Sequence, residues 1–290
     1  MKRIILVAGA TGRQGGAAAS HLLKTGWNVR ALTRLPEGEK AIALQKEGIE
    51  VVRGDLNDPL SLRSVLNGVY GVFSVQNSWE HGVEREIRQG MNLADAASWA
   101  GVVHFVYSSV GSAHQSTGIP HFESKWEIEQ YIRATGLRST ILRPVFFMEN
   151  LLTTDTLSSI DSGSLPLGLD PEKPLQMIAV NDIGALTALA FNNPLGYVSR
   201  SIDIAGDELT GLQMATILSK TLEQSVQYRQ TPVEHIRAFS DDYAAMVEWF
   251  NIKGYKADIS ALRKLHPALT SFEKWAIEHK PVFEAVSAPV

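Results

Sequence analysis

The stretch Ile4-Ile5-Leu6-Val7-Ala8-Gly9-Ala10-Thr11-Gly12-Arg13-Gln14-Gly15-Gly16 decides the fold. Ile4–Val7 is a short, apolar, β-branched run, as a strand buried on both faces should be. Glycine then recurs at 9, 12 and 15, the spacing GxxGxxG. Glycine at the turn admits positive φ. Glycine at the second position lets a diphosphate approach the backbone. Glycine at the third lets the following helix pack closely on the first strand. The opening N–H groups of that helix and its dipole favour an anion. Gly9, Thr11, Gly12, Arg13, Gln14 and Gly15 are therefore expected to cradle a diphosphate.

Outward from this loop, short apolar runs alternate with helical patterns. Ile4–Val7, Asn28–Leu32, Glu50–Val52, Gly71–Val75, Val103–Tyr107 and Ser139–Leu142 read as strands. Helices are expected near 13–25, 37–47, 59–66, 83–100 and 122–135. Such alternation predicts an α/β fold: a Rossmann-type doubly wound parallel sheet with helices on both faces. Its ligand crevice lies at the carboxyl ends of the strands. The second half is less regular. Ser158–Pro174 reads as a loop, and 155–174 as a lid. Asp182 reads as the N-cap of a helix to Phe191, Ser201–Ala205 as a further strand and Thr210 as a helix cap. Pro232 suits a helix first turn. Helices are also expected over Asp241–Phe250, Ala257–Leu265 and Ser271–His279. The expected division is a core over 1–153, then a mixed region over 154–290. That region returns late core elements over about 176–206 and forms a smaller, mostly helical lobe.

Composition narrows the function. The chain has 290 residues, no cysteine, and 27 basic against 31 acidic side chains, a net charge of −4. Direct nucleic-acid binding is not expected, because it needs a basic patch. No apolar run is long enough to span a membrane. The apolar run after Met1-Lys2-Arg3 is too short for a signal-peptide core. A cytoplasmic address fits. Without cysteine there is no disulfide, zinc–thiolate site or thiol nucleophile. His104, His114 and His121 share a region without metal-ligand spacing to acids, so no metal is assigned. Hydrolase-elbow, Walker and HExxH patterns are absent.

The second strand reads Arg30-Ala31-Leu32-Thr33-Arg34 at its end. An NAD site usually carries a carboxylate there for the ribose hydroxyls. Arg34 stands instead, and a guanidinium fork suits a 2′-phosphate. Arg13 opens the neighbouring helix, and Lys40 adds a point charge. NADP(H) is expected in preference to NAD(H). Asp55, after the third strand, and the adjacent backbone at Leu56 are expected near the adenine.

These segments resemble the NmrA-like family, an atypical branch of the short-chain dehydrogenase/reductases. The resemblance rests on the glycine loop, Arg30–Arg34, Gly54-Asp55-Leu56 and Gln76-Asn77-Ser78-Trp79. It continues in Tyr107-Ser108-Ser109, His121-Phe122-Glu123-Ser124-Lys125, Arg143–Leu151 and Leu265–Thr270 through Trp275 to His279. It is closest to the NADPH redox-sensor type of that family. By this resemblance Gln76 and Asn77 lie along the cofactor, and Trp79, Phe147, Met148 and Asn150 line a substrate pocket. Typical superfamily enzymes use Ser, Tyr and Lys, the Tyr four residues before the Lys. Here Lys125 holds the Lys position, Ser109 the Ser position, and His121 stands where Tyr is usual. A protonated imidazole can donate a proton, but the Lys125 charge opposes that form.

The resemblance implies two functions. One is an NADPH-responsive redox sensor or regulator, acting on a regulatory protein partner. The other is an NADPH-dependent reductase passing hydride to a quinone, enone, imine or similar small acceptor, with Lys125, His121 and Ser109 as its catalytic set. A helix-rich C-terminal lobe suggests a homodimer by analogy.

Overall fold

The computed structural model describes residues 3–285. The chain begins β1 (Ile4–Val7), α1 (Arg13–Lys24), β2 (Asn28–Thr33), α2 (Glu39–Lys46), β3 (Glu50–Arg53), α3 (Pro59–Val65), β4 (Val69–Ser74), α4 (Ser78–His81), α5 (Val83–Trp99), β5 (His104–Ser108), α6 (Pro120–Ala134) and β6 (Ser139–Pro144). It continues β7 (Phe146–Phe147), α7 (Thr154–Asp161), β8 (Ser164–Leu167), β9 (Pro174–Ile178), α8 (Val180–Asn192), α9 (Pro194–Tyr197) and β10 (Ser201–Ile204). The last part holds β11 (Asp207–Thr210), α10 (Gly211–Leu222), β12 (Gln227–Gln230), α11 (Val233–Arg237), α12 (Asp241–Ile252), α13 (Ile259–Leu265), α14 (Phe272–Glu278) and α15 (Lys280–Glu284). Two compact units result, one over 1–116, 120–143 and 180–202, the other over 117–119, 144–179 and 203–290.

The first unit is the expected doubly wound fold. Its seven-stranded sheet runs β10-β6-β5-β4-β1-β2-β3. The pairings from β3 across to β6 are parallel. The order reverses between β1 and β4, and such a switch point opens a crevice at the strand ends. The inner strands β1, β4, β5 and β6 are buried on both faces because both are covered, whereas the edge strands β3 and β10 are partly exposed. Leu6, Phe105 and Tyr107 share one core cluster with Leu62 of α3, Leu93 and Ala97 of α5, and Ile128 and Ile132 of α6. Across the sheet, His104 meets the Phe191 ring of α8 edge-on at 5.1 Å. Helices α1 and α8 touch backbone to backbone there. A Cβ on Gly184 would lie 2.5 Å from the Ala17 carbonyl.

The second unit has an antiparallel β11–β9 pair extended by a parallel β9–β7 pair. A separate parallel pair joins β12 to β8. One aromatic cluster joins Trp249, Phe250 and Tyr255. A second stacks Trp275 between Phe272 and His279. Thr210 caps α10 with a full capping box closed by Gln213, as its position before an apolar run predicts.

Two expectations are corrected. Ser158–Pro174 is not one loop, because α7 runs to Asp161 and β8 covers Ser164–Leu167. Pro166 hides that strand in the sequence, yet proline is tolerated in a short two-stranded sheet. Asp182 is not an N-cap. Helix α8 starts at Val180, and Asp182 is buried in its first turn, where a carboxylate still favours the dipole.

Candidate functional site

The glycine loop is built as its spacing predicts. Gly9 takes φ +64°, and its carbonyl accepts the Gly12 N–H at 2.8 Å. A Cβ on Gly15 would stand 2.2 Å from that same carbonyl oxygen, inside the backbone. Only glycine lets α1 start this close to the end of β1. Gly12 is the N-cap and lays no side chain over the helix opening, and the first turn holds no acid. Thr11 is half-buried and Arg13 exposed. The Gln14 side chain is fixed by the Ser108 hydroxyl, which donates to its Oε1 at 2.6 Å. This tie joins the loop to the end of β5.

In the strand order, β2 and β4 flank β1, so their carboxyl ends flank the glycine loop. After β2, Arg34 stands half exposed, its Nη2 3.4 Å from Glu80 Oε2. After β3, Asp55 Oδ1 accepts from both the backbone and side-chain N–H of Asn57, at 2.9 and 2.7 Å. Burial pushes the Asp55 pKa up. The Asn57 hydrogen bonds, with the nearby Arg34 and Arg85 charges, outweigh it and hold the carboxyl below its ordinary value. Asn57 in turn accepts from Arg85 Nε at 3.0 Å, and the Leu56 carbonyl accepts from Asn92 at 2.9 Å. Helix α5 thus fixes the Asp55–Leu56 turn. Lys40 is exposed on α2.

After β4, Gln76 is buried, and its Nε2 donates to Ser74 Oγ at 2.9 Å. Its Oε1 is buried without a hydrogen-bond partner among the described residues. Such an orphan acceptor is costly, and it marks a place for a ligand donor. Asn77 caps α4 through Trp79 N–H at 3.1 Å. Trp79 is 57% exposed, with its ring 5.1 Å from that of His121. His121, buried near the start of α6, also meets the Phe122 ring edge-on at 4.8 Å.

Lys125, one helical turn after His121, is not a free surface cation. Its Nζ donates to Glu86 Oε1 at 2.7 Å and to the Gln76 carbonyl at 3.3 Å. Glu86 is fully buried, and its other oxygen accepts the Ser124 hydroxyl at 2.5 Å. Sequence reasoning missed Glu86. The available signal was positional: Glu86 shares the buried stripe of α5 with Gly90, Leu93, Ala94 and Ala97. An acid on such a face needs a partner.

Ser109 lies apart from this pair. Its hydroxyl donates to Glu129 Oε1 at 2.6 Å. Glu129 is fully buried and also accepts from Arg143 Nε and Nη2 at 2.9 and 2.8 Å, and from Arg133 at 2.8 Å. The Tyr107 hydroxyl is buried without a hydrogen-bond partner among the described residues. Burial first, then the Glu86 and Glu129 charges, push its pKa well up. The structure therefore pairs Lys125 with Gln76 and Glu86, and Trp79 with His121 one turn earlier on α6, and places Ser109 in a separate network with Glu129 and Arg143.

Phe147, Met148 and Asn150 belong to the second unit. Phe147 pairs with Ile178 across β7 and β9. Met148 is buried, and Asn150 lies in the 3₁₀ turn that follows. Among the described residues no group of three or more His, Asp or Glu is placed to hold a metal. No described helix is long and apolar enough to cross a membrane.

The model of the NmrA-like family matches residues 1–276 of this chain. An NmrA-like family domain-containing protein of Dictyostelium discoideum is 32% identical over 295 residues, covering 95% of this chain and 97% of its own. The NAD(P)H azoreductase of Xenophilus azovorans is 30% identical, covering 81% and 79%. Among solved structures, the negative transcriptional regulator NmrA in complex with NADP superimposes with a TM-score of 0.82. It is 24% identical, with 99% of this chain and 98% of that one covered, and supports the fold.

Proposed function

The chain belongs to the NmrA-like family, and on that premise we propose that its first unit binds a nicotinamide dinucleotide, NADP(H) in preference to NAD(H), as an NADPH-responsive regulator. The observation that carries the reading is the Gly9–Gly15 turn. No Cβ fits at Gly15, the helix opening has no side-chain cap and no acid in its first turn, and the turn stands at the switch point of the sheet. That combination suits a diphosphate. Gly9, Thr11, Gly12, Arg13, Gln14 and Gly15 would hold the diphosphate. Arg34 would meet the 2′-phosphate, and Asp55 and Leu56 the adenine. Gln76 Oε1 supplies an acceptor that waits for a donor. An ammonium has three N–H donors, and Lys125 spends two on Glu86 and Gln76. The third would serve a ribose hydroxyl.

The regulatory reading is favoured by the chemistry at the usual Tyr position. His121 is buried between the Phe122 and Trp79 rings, and the hydroxyl of Ser109 is committed to Glu129. A switch further requires that the reduced and oxidised cofactor bind two states of the protein with different affinity. The second reading is a reductase, favoured by the 30% identity to an NAD(P)H azoreductase. When bound, a reduced nicotinamide supplies hydride. An acceptor such as a quinone, enone, imine or azo group delocalises the incoming charge and takes its proton from water or His121. Lys125 would then orient the ribose.

The test is direct titration of the purified protein with NADPH and NADH, followed by NADPH consumption at 340 nm against a panel of those acceptors. Saturable NADPH binding without turnover supports the regulator. Turnover establishes the reductase. Absence of binding overturns both readings.

A further inference from the structure

The carboxylate that an NAD site places at the end of its second strand is absent from β2, yet Glu80 brings one from elsewhere to the Arg34 that follows β2. Glu80 sits on the four-residue helix α4, between the Asn77 cap and Gly82, whose φ is +83°. It follows β4, and Arg34 follows β2. These two strands are the neighbours of β1, so both residues follow strands whose carboxyl ends flank the glycine loop, and their side chains meet there. Both side chains are a little over half exposed, 55% and 53%, and a ligand can reach them. His81 Nε2 lies 3.9 Å from the same Glu80 oxygen. The neighbouring Arg53 is already paired to Glu37 at 2.9 Å. Thr33 Oγ1 accepts the Leu35 N–H at 3.1 Å and so fixes the turn that carries Arg34.

We propose that the Arg34–Glu80 pair makes this a dual-cofactor site, with Glu80 taking the ribose diol of NAD(H) and Arg34 the 2′-phosphate of NADP(H). This rests on the nucleotide-binding reading above. Carboxylate and phosphate compete for one guanidinium. A 2′-phosphate carries close to two negative charges near neutrality, so it meets attraction from Arg34 and repulsion from Glu80 together. The diol of NAD(H) carries no such charge and can donate hydrogen bonds to a carboxylate. Glu80 therefore weakens NADP(H) and helps NAD(H). Its removal frees Arg34 for phosphate.

The test measures Kd for NADPH and NADH by equilibrium titration of the wild-type protein, Glu80→Gln and Arg34→Met, at low and moderate salt. An exposed charge pair of this kind is worth about three- to five-fold in a binding constant. Glu80→Gln is expected to tighten NADPH by about that factor and to leave NADH unchanged or weaker. Arg34→Met is expected to shift the ratio the opposite way, and both shifts shrink as salt screens the charges. Because Glu80 is exposed, the variant keeps the wild-type melting temperature. An unchanged NADPH/NADH ratio in Glu80→Gln, with both cofactors still bound by wild type, overturns this proposal alone. Failure of wild type to bind either cofactor overturns the nucleotide reading with it.

Discussion

Replacing Lys125 with alanine is the obvious probe of catalysis, and the structure makes it a stability experiment first. Glu86 has no exposed surface, and its carboxylate holds the Lys125 ammonium at 2.7 Å and the Ser124 hydroxyl at 2.5 Å. Lys125→Ala leaves that charge in the core with one hydroxyl for company. Removing one member of a buried ion pair costs about 3–5 kcal/mol, mostly because the survivor keeps its desolvation penalty. A typical domain is stable by about 5–15 kcal/mol in all, so the variant stands near its unfolding threshold. Glu86→Gln is expected to be nearly as costly, since it strands the lysine. The double variant Lys125→Met with Glu86→Gln removes both charges at similar volume and should recover most of the loss. Urea unfolding of the wild type, Lys125→Met, Glu86→Gln and the double variant closes the cycle, and the two single losses together should exceed the double loss by about 4 kcal/mol or more. A loss below about 1 kcal/mol for Lys125→Ala would refute the buried-pair reasoning. If the reasoning holds, the double variant, and not Lys125→Ala, separates cofactor positioning from folding.

Two further outcomes follow from the same reasoning. Gly15→Ala sets a Cβ 2.2 Å from the Gly9 oxygen and 2.7 Å from the Ala8 oxygen, both backbone, whereas Gly12→Ala meets its nearest neighbour at 3.2 Å. Overpacking of the first kind costs about 1–3 kcal/mol or more, so Gly15→Ala should lose the greater stability and nearly all dinucleotide affinity, read by thermal melting and titration. His104 is fully buried beside Phe191, and burial first, then Arg138, lowers its pKa from 6.5 to about 4. Thr140 donates its own proton to the Tyr197 carbonyl at 2.9 Å, so the 2.8 Å contact from His104 Nε2 must be a donation, and the ring is neutral with the proton on Nε2. In the window between those two pKa values the unfolded chain binds the proton and the folded chain does not. Stability therefore rises with pH across it, and roughly 3 kcal/mol is lost as pH falls through it. Unfolding free energies measured from pH 7 to 4 should show this slope, and His104→Gln should flatten it; an equal slope in both proteins would assign it to other groups.

The sequence alone determined the parallel sheet and the glycine loop of the first unit. The buried inner strands are written as short apolar runs, and the tight turn is written as glycine at 9, where φ is positive, and at 15, where no Cβ fits. Both signals are local, so they survive without knowledge of the rest of the chain. The second unit was less legible, because β8, β9, β11 and β12 are short, and two of them contain proline. Their strand character comes from pairing with residues distant in sequence. Only the tertiary structure decided the electrostatics of the site. Lys125 finds Glu86 from 39 residues away and Arg34 finds Glu80 from 46. Ser109 finds Glu129 from 20 residues away, not the histidine twelve residues on. A charged or polar side chain pairs with whichever partner the fold brings beside it, and where the charge is buried, as at Glu86 and Glu129, it must do so; no spacing rule along the chain encodes that choice.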